Sequence, residues 1–171
     1  HLDYHKTYKD YLNSKLILFN KLTKKGGYII YDNDISQSKI LKKICLKKNL
    51  KSLTIGKKNS NLLIKKHDYL GDFQKIEIEF NKKKYSFTTK LIGKIQVKNI
   101  LFAALAAYKS KIKFSKIIEL ISEIKAVEGR LENIGNIKNN SKVILDYAHT
   151  PDALKYTLES IKEQFRHSRI V

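Results

Sequence analysis

Lys15 falls on a stripe with Tyr8, Tyr11, Leu18 and Leu22 at steps of three and four. On a helix that spacing points its amine the same way as apolar neighbours. Burial there would favour the neutral amine over the ammonium. A neutral amine can take up carbon dioxide as a carbamate, which turns a cation into an oxygen ligand for a hard divalent metal. The alternative is a lysine whose stem packs and whose tip reaches water. Just ahead, His1-Leu2-Asp3-Tyr4-His5 offers two imidazoles and a carboxylate. These suit a divalent metal or the orientation of a phosphate, or they form an ordinary surface pair.

Two further segments carry chemistry. Arginine occurs only at positions 130, 166 and 169, so Gly129-Arg130-Leu131-Glu132 keeps one where a glycine makes a turn. A guanidinium binds phosphate bidentately, which lysine cannot do; an ordinary turn with a surface ion pair is the equal alternative. Asp146-Tyr147-Ala148-His149-Thr150-Pro151-Asp152 lies between an apolar strand and a helix start. Ligands of open α/β sheets bind at that edge, and a helix N-terminus favours a phosphate near His149 and Thr150. Thr150 capping the helix and Asp152 complementing its dipole would be compatible structural roles.

The elements that must position these residues can be read from periodicity. Apolar spacing predicts a helix over 7–22, ended by Gly26-Gly27, then a short buried strand Tyr28-Ile29-Ile30-Tyr31. Asp34 is the expected N-cap of a helix over 35–48, whose buried face includes the lone Cys45. Leu53-Thr54-Ile55 reads as a strand, and alternation over 76–80 and 85–89 around Asn81-Lys82-Lys83 predicts a hairpin. A buried helix is expected over 97–107 and an amphipathic one over 115–125. Val143-Ile144-Leu145 reads as a strand inside a parallel sheet, followed by an amphipathic helix over 152–165 and a strand beginning at Ile170-Val171, a βαβ unit. A domain boundary is expected near 128–135.

Formal net charge is +19, which by itself points to a polyanion partner. The basic residues are 32 Lys against 3 Arg, spread along the whole chain among Ile, Asn and Tyr, which is the pattern of a solvated surface rather than of a phosphate-reading patch. A single cysteine forms no intramolecular disulfide and fits a reducing compartment. No apolar run reaches the roughly 18 residues of a membrane span.

Together, His-Leu-Asp-Tyr-His, a lysine fourteen residues after its first histidine, Gly-Arg-Leu-Glu and Asp-Tyr-Ala-His-Thr-Pro-Asp-Ala-Leu resemble the Mur ligases, in consistent order along the whole chain. The first and last strings are most like the branch that forms UDP-N-acetylmuramoyl tripeptide. The resemblance implies an α/β architecture. Residues 1–128 would be the latter part of a Rossmann-like ATPase central domain with an antiparallel hairpin, and residues 129–171 the start of a second Rossmann-like domain. It implies that Lys15 is carbamylated and supports Mg2+, with His1 as a metal ligand. Asn99, closing Gly93-Lys94-Ile95-Gln96-Val97-Lys98-Asn99, would lie near the adenine of ATP. Arg130 would reach the ATP phosphates, Asp146 the ribose, and His149 the phosphates and metal, with catalytic roles for Lys15, Arg130 and His149.

Two positions depart from the family pattern. Gln96 stands where asparagine is frequent, and Tyr31-Asp32-Asn33-Asp34 stands for an Asn-x-Asp-Asp element, so no role is assigned to that segment. The implied reaction transfers the γ-phosphoryl group of ATP to the carboxylate of a UDP-muramoyl dipeptide, and the amine of diaminopimelate or lysine then displaces phosphate. A cytoplasmic monomer with no nucleic-acid or membrane partner is the accompanying expectation. Sister Mur ligases and folylpolyglutamate synthetase are the near alternatives, and a basic nucleic-acid-binding module is the distant one. No Gly-x-x-x-x-Gly-Lys-Ser/Thr loop occurs in these residues. The phosphate cradle is therefore expected upstream, and the chain is expected to be an internal piece, inactive by itself.

Overall fold

The structure, a computed structural model, describes residues 5–171. They form two compact units, one ending at Leu63 and the other running from Ile64 to Val171.

The first unit opens with α1 (Tyr8–Ile17), capped by the Thr7 hydroxyl, which accepts from the Asp10 amide at 3.1 Å. A π-helical turn, Leu18–Leu22, continues it. The helix turns Leu12, Leu16 and Phe19 inward onto Ile29, Tyr31, Leu41, Ile44, Cys45 and Leu50. This corrects the expected stripe: Tyr8, Leu18 and Leu22 are more than half exposed and Lys15 faces solvent. Two apolar stripes compete on this helix. The wider residue spacing of the π turn carries Leu18 and Leu22 off the inward face, leaving the aliphatic Leu12–Leu16 stripe to pack.

β1 (Tyr28–Asp32) pairs in parallel with β2 (Lys51–Gly56), which meets the first residues of β3 (Leu62–Leu70) in the same sense. Between β1 and β2, α2 (Ser38–Lys48) starts three residues later than expected, so Asp34 is not its cap. The Asp34 carboxylate instead accepts from the Lys57 amide at 3.0 and 3.2 Å, and Asn33 donates to the Lys58 and Asn59 carbonyls. The segment left without a role thus clasps the β2–β3 connection. Cys45 packs in the core, and burial pushes its thiol pKa up, as suits an inert side chain.

In the second unit β4 (Phe73–Phe80) and β5 (Lys83–Thr89) form the expected antiparallel hairpin. Its two turn residues, Asn81 and Lys82, both have positive φ, the geometry that matches strand twist. Ile76, Ile78 and Phe80 alternate inward. α3 (Lys94–Lys109) buries Val97, Ile100, Leu101, Ala104 and Leu105. It leaves Ala103 and Ala106 exposed, so it is covered on one side rather than all round. α4 (Phe114–Leu120) ends earlier than expected, in a 3-10 turn, and its Phe114 ring meets Phe80, Tyr85 and Tyr108.

The rest of this unit differs most from expectation. β7 (Ser141–Leu145) pairs antiparallel with β6 (Glu132–Ile137), which no sequence signal announced, and the ribbon is largely exposed. α5 (Pro151–Gln164) begins as foreseen, with Thr150 accepting from the Ala153 amide at 3.2 Å. Ile170 and Val171, expected to open a strand, join no ladder among the described residues. Continuous apolar runs of three residues fit an antiparallel ribbon as well as a parallel core strand, and pattern alone does not separate the two. None of the helices is long and apolar enough to cross a membrane among the described residues.

Candidate active site

The Gly129–Glu132 turn is built by reciprocal hydrogen bonds. Gly129 has φ of +66°, a conformation an L-residue resists, and its amide donates to the Glu132 carboxylate at 2.9 Å. The Arg130 amide donates to the Val127 carbonyl at 3.0 Å. Across the ribbon's end, the Tyr147 amide donates to the Gly129 carbonyl, and the Leu131 amide donates to Asp146 Oδ2, both at 2.9 Å. The other oxygen of Asp146 accepts from the Ala148 amide at 3.0 Å and from the Thr157 hydroxyl of α5 at 2.9 Å. One carboxylate therefore fixes the turn, the strand end and the helix together.

Above this latch the Arg130 guanidinium lies over the Tyr147 ring, 5.4 Å from its centroid. The Tyr147 ring also meets His149, edge-on at 4.9 Å between centroids. His149 Nδ1 is 3.0 Å from the Tyr147 carbonyl. A carbonyl only accepts, so Nδ1 carries a proton in this contact. On the facing wall, Gln96 of α3 donates to the Arg130 carbonyl at 3.1 Å and accepts from Asn99 at 3.4 Å.

Gln96, Asn99, Arg130 and Asp146 line a cleft of about 510 Å3 whose walls also include Ile95 and Tyr156. Apolar Ile95, Val127 and Tyr156 suit a flat base, while the Asn99 amide, the Asp146 carboxylate and the Arg130 guanidinium offer the donors and acceptors a nucleotide presents. The residues present fit a nucleotide. A larger groove of about 660 Å3, lined by Phe73, Leu91, Ile124 and Phe165 among others, holds none of the sequence candidates.

Of the six candidate residues, Asn99, Arg130 and Asp146 share this cleft, and His149 joins Arg130 through Tyr147. Lys15 belongs to the first unit, exposed, its Nζ 5.4 Å from the Tyr11 ring centroid. Its solvent exposure removes the burial argument for a neutral amine. His1 lies outside the described residues. Among the described residues no three His, Cys, Asp or Glu side chains are grouped as metal ligands.

Sequence reasoning overlooked Tyr147, Thr157 and the bridging role of Gln96. Thr157 had a visible signal: with Ala153, Ser160 and Gln164 it forms a helical stripe of small and polar residues, and that stripe, not the leucines, is the buried face of α5.

Comparison with known proteins matches residues 1–107 to the Mur ligase middle domain and residues 129–171 to the Mur ligase, glutamate ligase domain. The UDP-N-acetylmuramoyl-L-alanyl-D-glutamate–2,6-diaminopimelate ligase of Rickettsia bellii (strain RML369-C) is 39% identical over 95% of this chain and 33% of its own length. The namesake from Rickettsia conorii is 36% identical over 99% of this chain and 35% of its own. The chain thus spans about a third of the length of these relatives. Among solved structures, MurF ligase from Thermotoga maritima in complex with ADP superposes with a TM-score of 0.77 at 17% identity, covering 94% of this chain and 36% of that one. Folylpolyglutamate synthetase from Lactobacillus casei gives 0.72 at 16% identity, covering 94% and 41%. These likenesses establish the fold alone, whereas the two domain matches, in order along the chain, establish kinship: the protein belongs to the Mur ligase family.

Proposed function

We propose that the protein is the nucleotide-handling part of an ATP-dependent amide ligase that joins diaminopimelate to UDP-N-acetylmuramoyl-L-alanyl-D-glutamate in peptidoglycan synthesis. The observation that carries the reading is the cleft in which Asn99, Arg130 and Asp146 meet. The relatives named for diaminopimelate favour that amino acid over lysine, and their identities of 36–39% favour this branch over MurF and folylpolyglutamate synthetase. Residues 1–128 are taken as part of the central domain and 129–171 as the start of the next, in keeping with the spans of the two matches.

In this reading Ile95 and Tyr156 bracket the base, Asn99 binds its edge, and Asp146 accepts from the ribose hydroxyls. Arg130 meets the phosphates and neutralises charge as the γ-phosphoryl group moves to the substrate carboxylate, giving an acyl phosphate. His149 lies near the phosphates and the metal. The amine of diaminopimelate attacks the acyl carbon, and phosphate leaves. Mg2+, when bound, would supply further charge neutralisation, with carbamylated Lys15 and His1 as its holders. Support for that pair is the spacing of the family motif. Both substrates and ATP belong to the cell interior, so a cytoplasmic monomer acting without nucleic acid or membrane completes the reading.

The test is a reaction of the complete natural polypeptide with ATP, UDP-muramoyl dipeptide and single amino acids, followed by phosphate release and product mass. Diaminopimelate-dependent phosphate release and a tripeptide mass are expected. Release with D-alanyl-D-alanine or glutamate instead would assign a sister activity. Lys15→Ala should lower turnover by about a hundredfold or more, with loss of the carbamate signal from 13C-bicarbonate; undiminished turnover would remove Lys15 from the site.

A further inference from the structure

At the C-terminal end of the buried face of α5, Gln164 meets backbone groups. Gln164, 4% exposed, accepts from the Gly93 amide at 3.2 Å and donates to the Gly71 carbonyl at 3.4 Å. Gly93 is the N-cap of α3, and its carbonyl is in turn 3.4 Å from the amide nitrogen of Gln74, a residue with no exposed surface. Gln74 also donates to the Leu91 carbonyl and accepts from His67 Nε2 at 2.7 Å. An amide oxygen only accepts, so His67 carries its proton on Nε2. Burial pushes the His67 imidazole below its usual value, consistent with that neutral form. Lys94 and Glu163 close the periphery with an ion pair.

A side chain at Gly93 would be strained. Its φ is +85°, and an added Cβ would come within 3.1 Å of Leu131 and 3.3 Å of Ser160 on α5. The start of α3 therefore closely approaches α5 at Gly93, and residues further along both helices line the cleft. One turn beyond Gly93 stand Gln96 and then Asn99; one to two turns before Ser160 stand Thr157, Tyr156 and Ala153.

We propose that Gln164 and Gln74 are positioning residues for the nucleotide cleft: through the Gly93 peptide they fix the separation of its two helical walls. The proposal rests on the cleft being the nucleotide site. Its chemistry is a relay in which each amide is used at both ends, so shortening or removing one member leaves a buried peptide group unpaired and lets α5 shift against α3.

The experiment compares Gln164→Leu, Gln164→Asn and the unmodified complete polypeptide. The measurements are KM for ATP, kcat, and hydrogen exchange of the Gly93 amide. Gln164→Leu removes both bonds and should raise KM for ATP about tenfold with a smaller change in kcat, while Gly93 exchange accelerates. Gln164→Asn keeps the amide but falls one methylene short, so an intermediate rise is expected; it stands in if the leucine variant does not fold. An unchanged KM for ATP in a folded variant whose Gly93 amide exchanges faster would overturn the positioning role and leave the function standing. If the unmodified polypeptide uses no ATP at all, the functional reading and this one fall together.

Discussion

Replacing Asp146 by alanine strips the acceptor from three donors that belong to three different elements: the Leu131 and Ala148 amides and the Thr157 hydroxyl, at 2.9, 3.0 and 2.9 Å. Hydrogen bonds to a charged acceptor are worth about 1.5–3 kcal/mol when buried, and the partial exposure of Asp146 cuts each to about 1 kcal/mol, so a loss of about 3 kcal/mol follows. With an m-value of about 2 kcal/mol/M in urea, the unfolding midpoint should fall by about 1.5 M. Asp146→Asn keeps one acceptor oxygen for Ala148 and Thr157 but turns its NH2 toward the Leu131 amide, two donors face to face, so about half that shift is expected. Equilibrium urea unfolding gives the midpoint, and amide exchange at Leu131 and Ala148 reports whether the loss is local. Nucleotide affinity should fall in both variants. A midpoint within about 0.3 M of the unmodified protein for Asp146→Ala would refute the latch and leave Asp146 a ligand-binding residue only.

Arg130→Lys retains the charge but loses the planar stack on Tyr147 and the forked donors, so kcat/KM for ATP in the complete polypeptide should drop about tenfold or more with the melting temperature unchanged within about 2 °C; equal kinetics would show that a point charge suffices. Gly56→Ala would bring a Cβ to 2.6 Å from Ser60 Oγ and 2.9 Å from Asp34 Oδ1, in the clasp over the β2–β3 connection. A loss of about 1–3 kcal/mol by urea unfolding is expected, and a neutral outcome would mean that the clasp opens freely. His67 is held below its usual value by burial first, then by Lys94, with Gln74, Glu163 and Asp68 opposing. The unfolded chain therefore takes up this proton before the folded one does. Stability should be intact above about pH 6.5 and decline on acidification toward the lowered folded value. Melting temperature against pH should slope more steeply in the unmodified protein than in His67→Gln; parallel slopes would refute the assignment.

Much of the architecture was legible because local and tertiary preferences agree. Ile76, Ile78 and Phe80 alternate as a half-covered strand should, and Thr150 with Pro151 starts a helix in any context. Of the residues after position 90 that the family motifs marked, Asn99, Arg130 and Asp146 share a cleft. The facing of Lys15 was not legible because two apolar stripes occupy α1 and periodicity cannot say which one packs; Leu12 and Leu16 do. In α5 the periodicity marks an amphipathic helix but not its inward face: Leu154 and Leu158 are 50% and 40% exposed while Thr157, Ser160 and Gln164 are buried, Thr157 bonded to the Asp146 carboxylate and Gln164 to backbone groups. β6 carries Gly135 and Asn136 in a bulged, exposed strand, and neither composition nor period marks such a segment.

The β6–β7 ribbon has a practical consequence for anyone handling the protein. Two strands with no third neighbour among the described residues hold together weakly, and the link between them passes through Asn139 in a left-handed turn between Lys138 and Lys142. Trypsin should nick here before it reaches the lysines of α3, and the first stable digestion product of the second unit would end at Lys138. Ile134 and Ile137, already 55% and 63% exposed, would then be sticky ends. Storage with protease inhibitor and moderate salt should preserve a monodisperse sample longer than cooling alone.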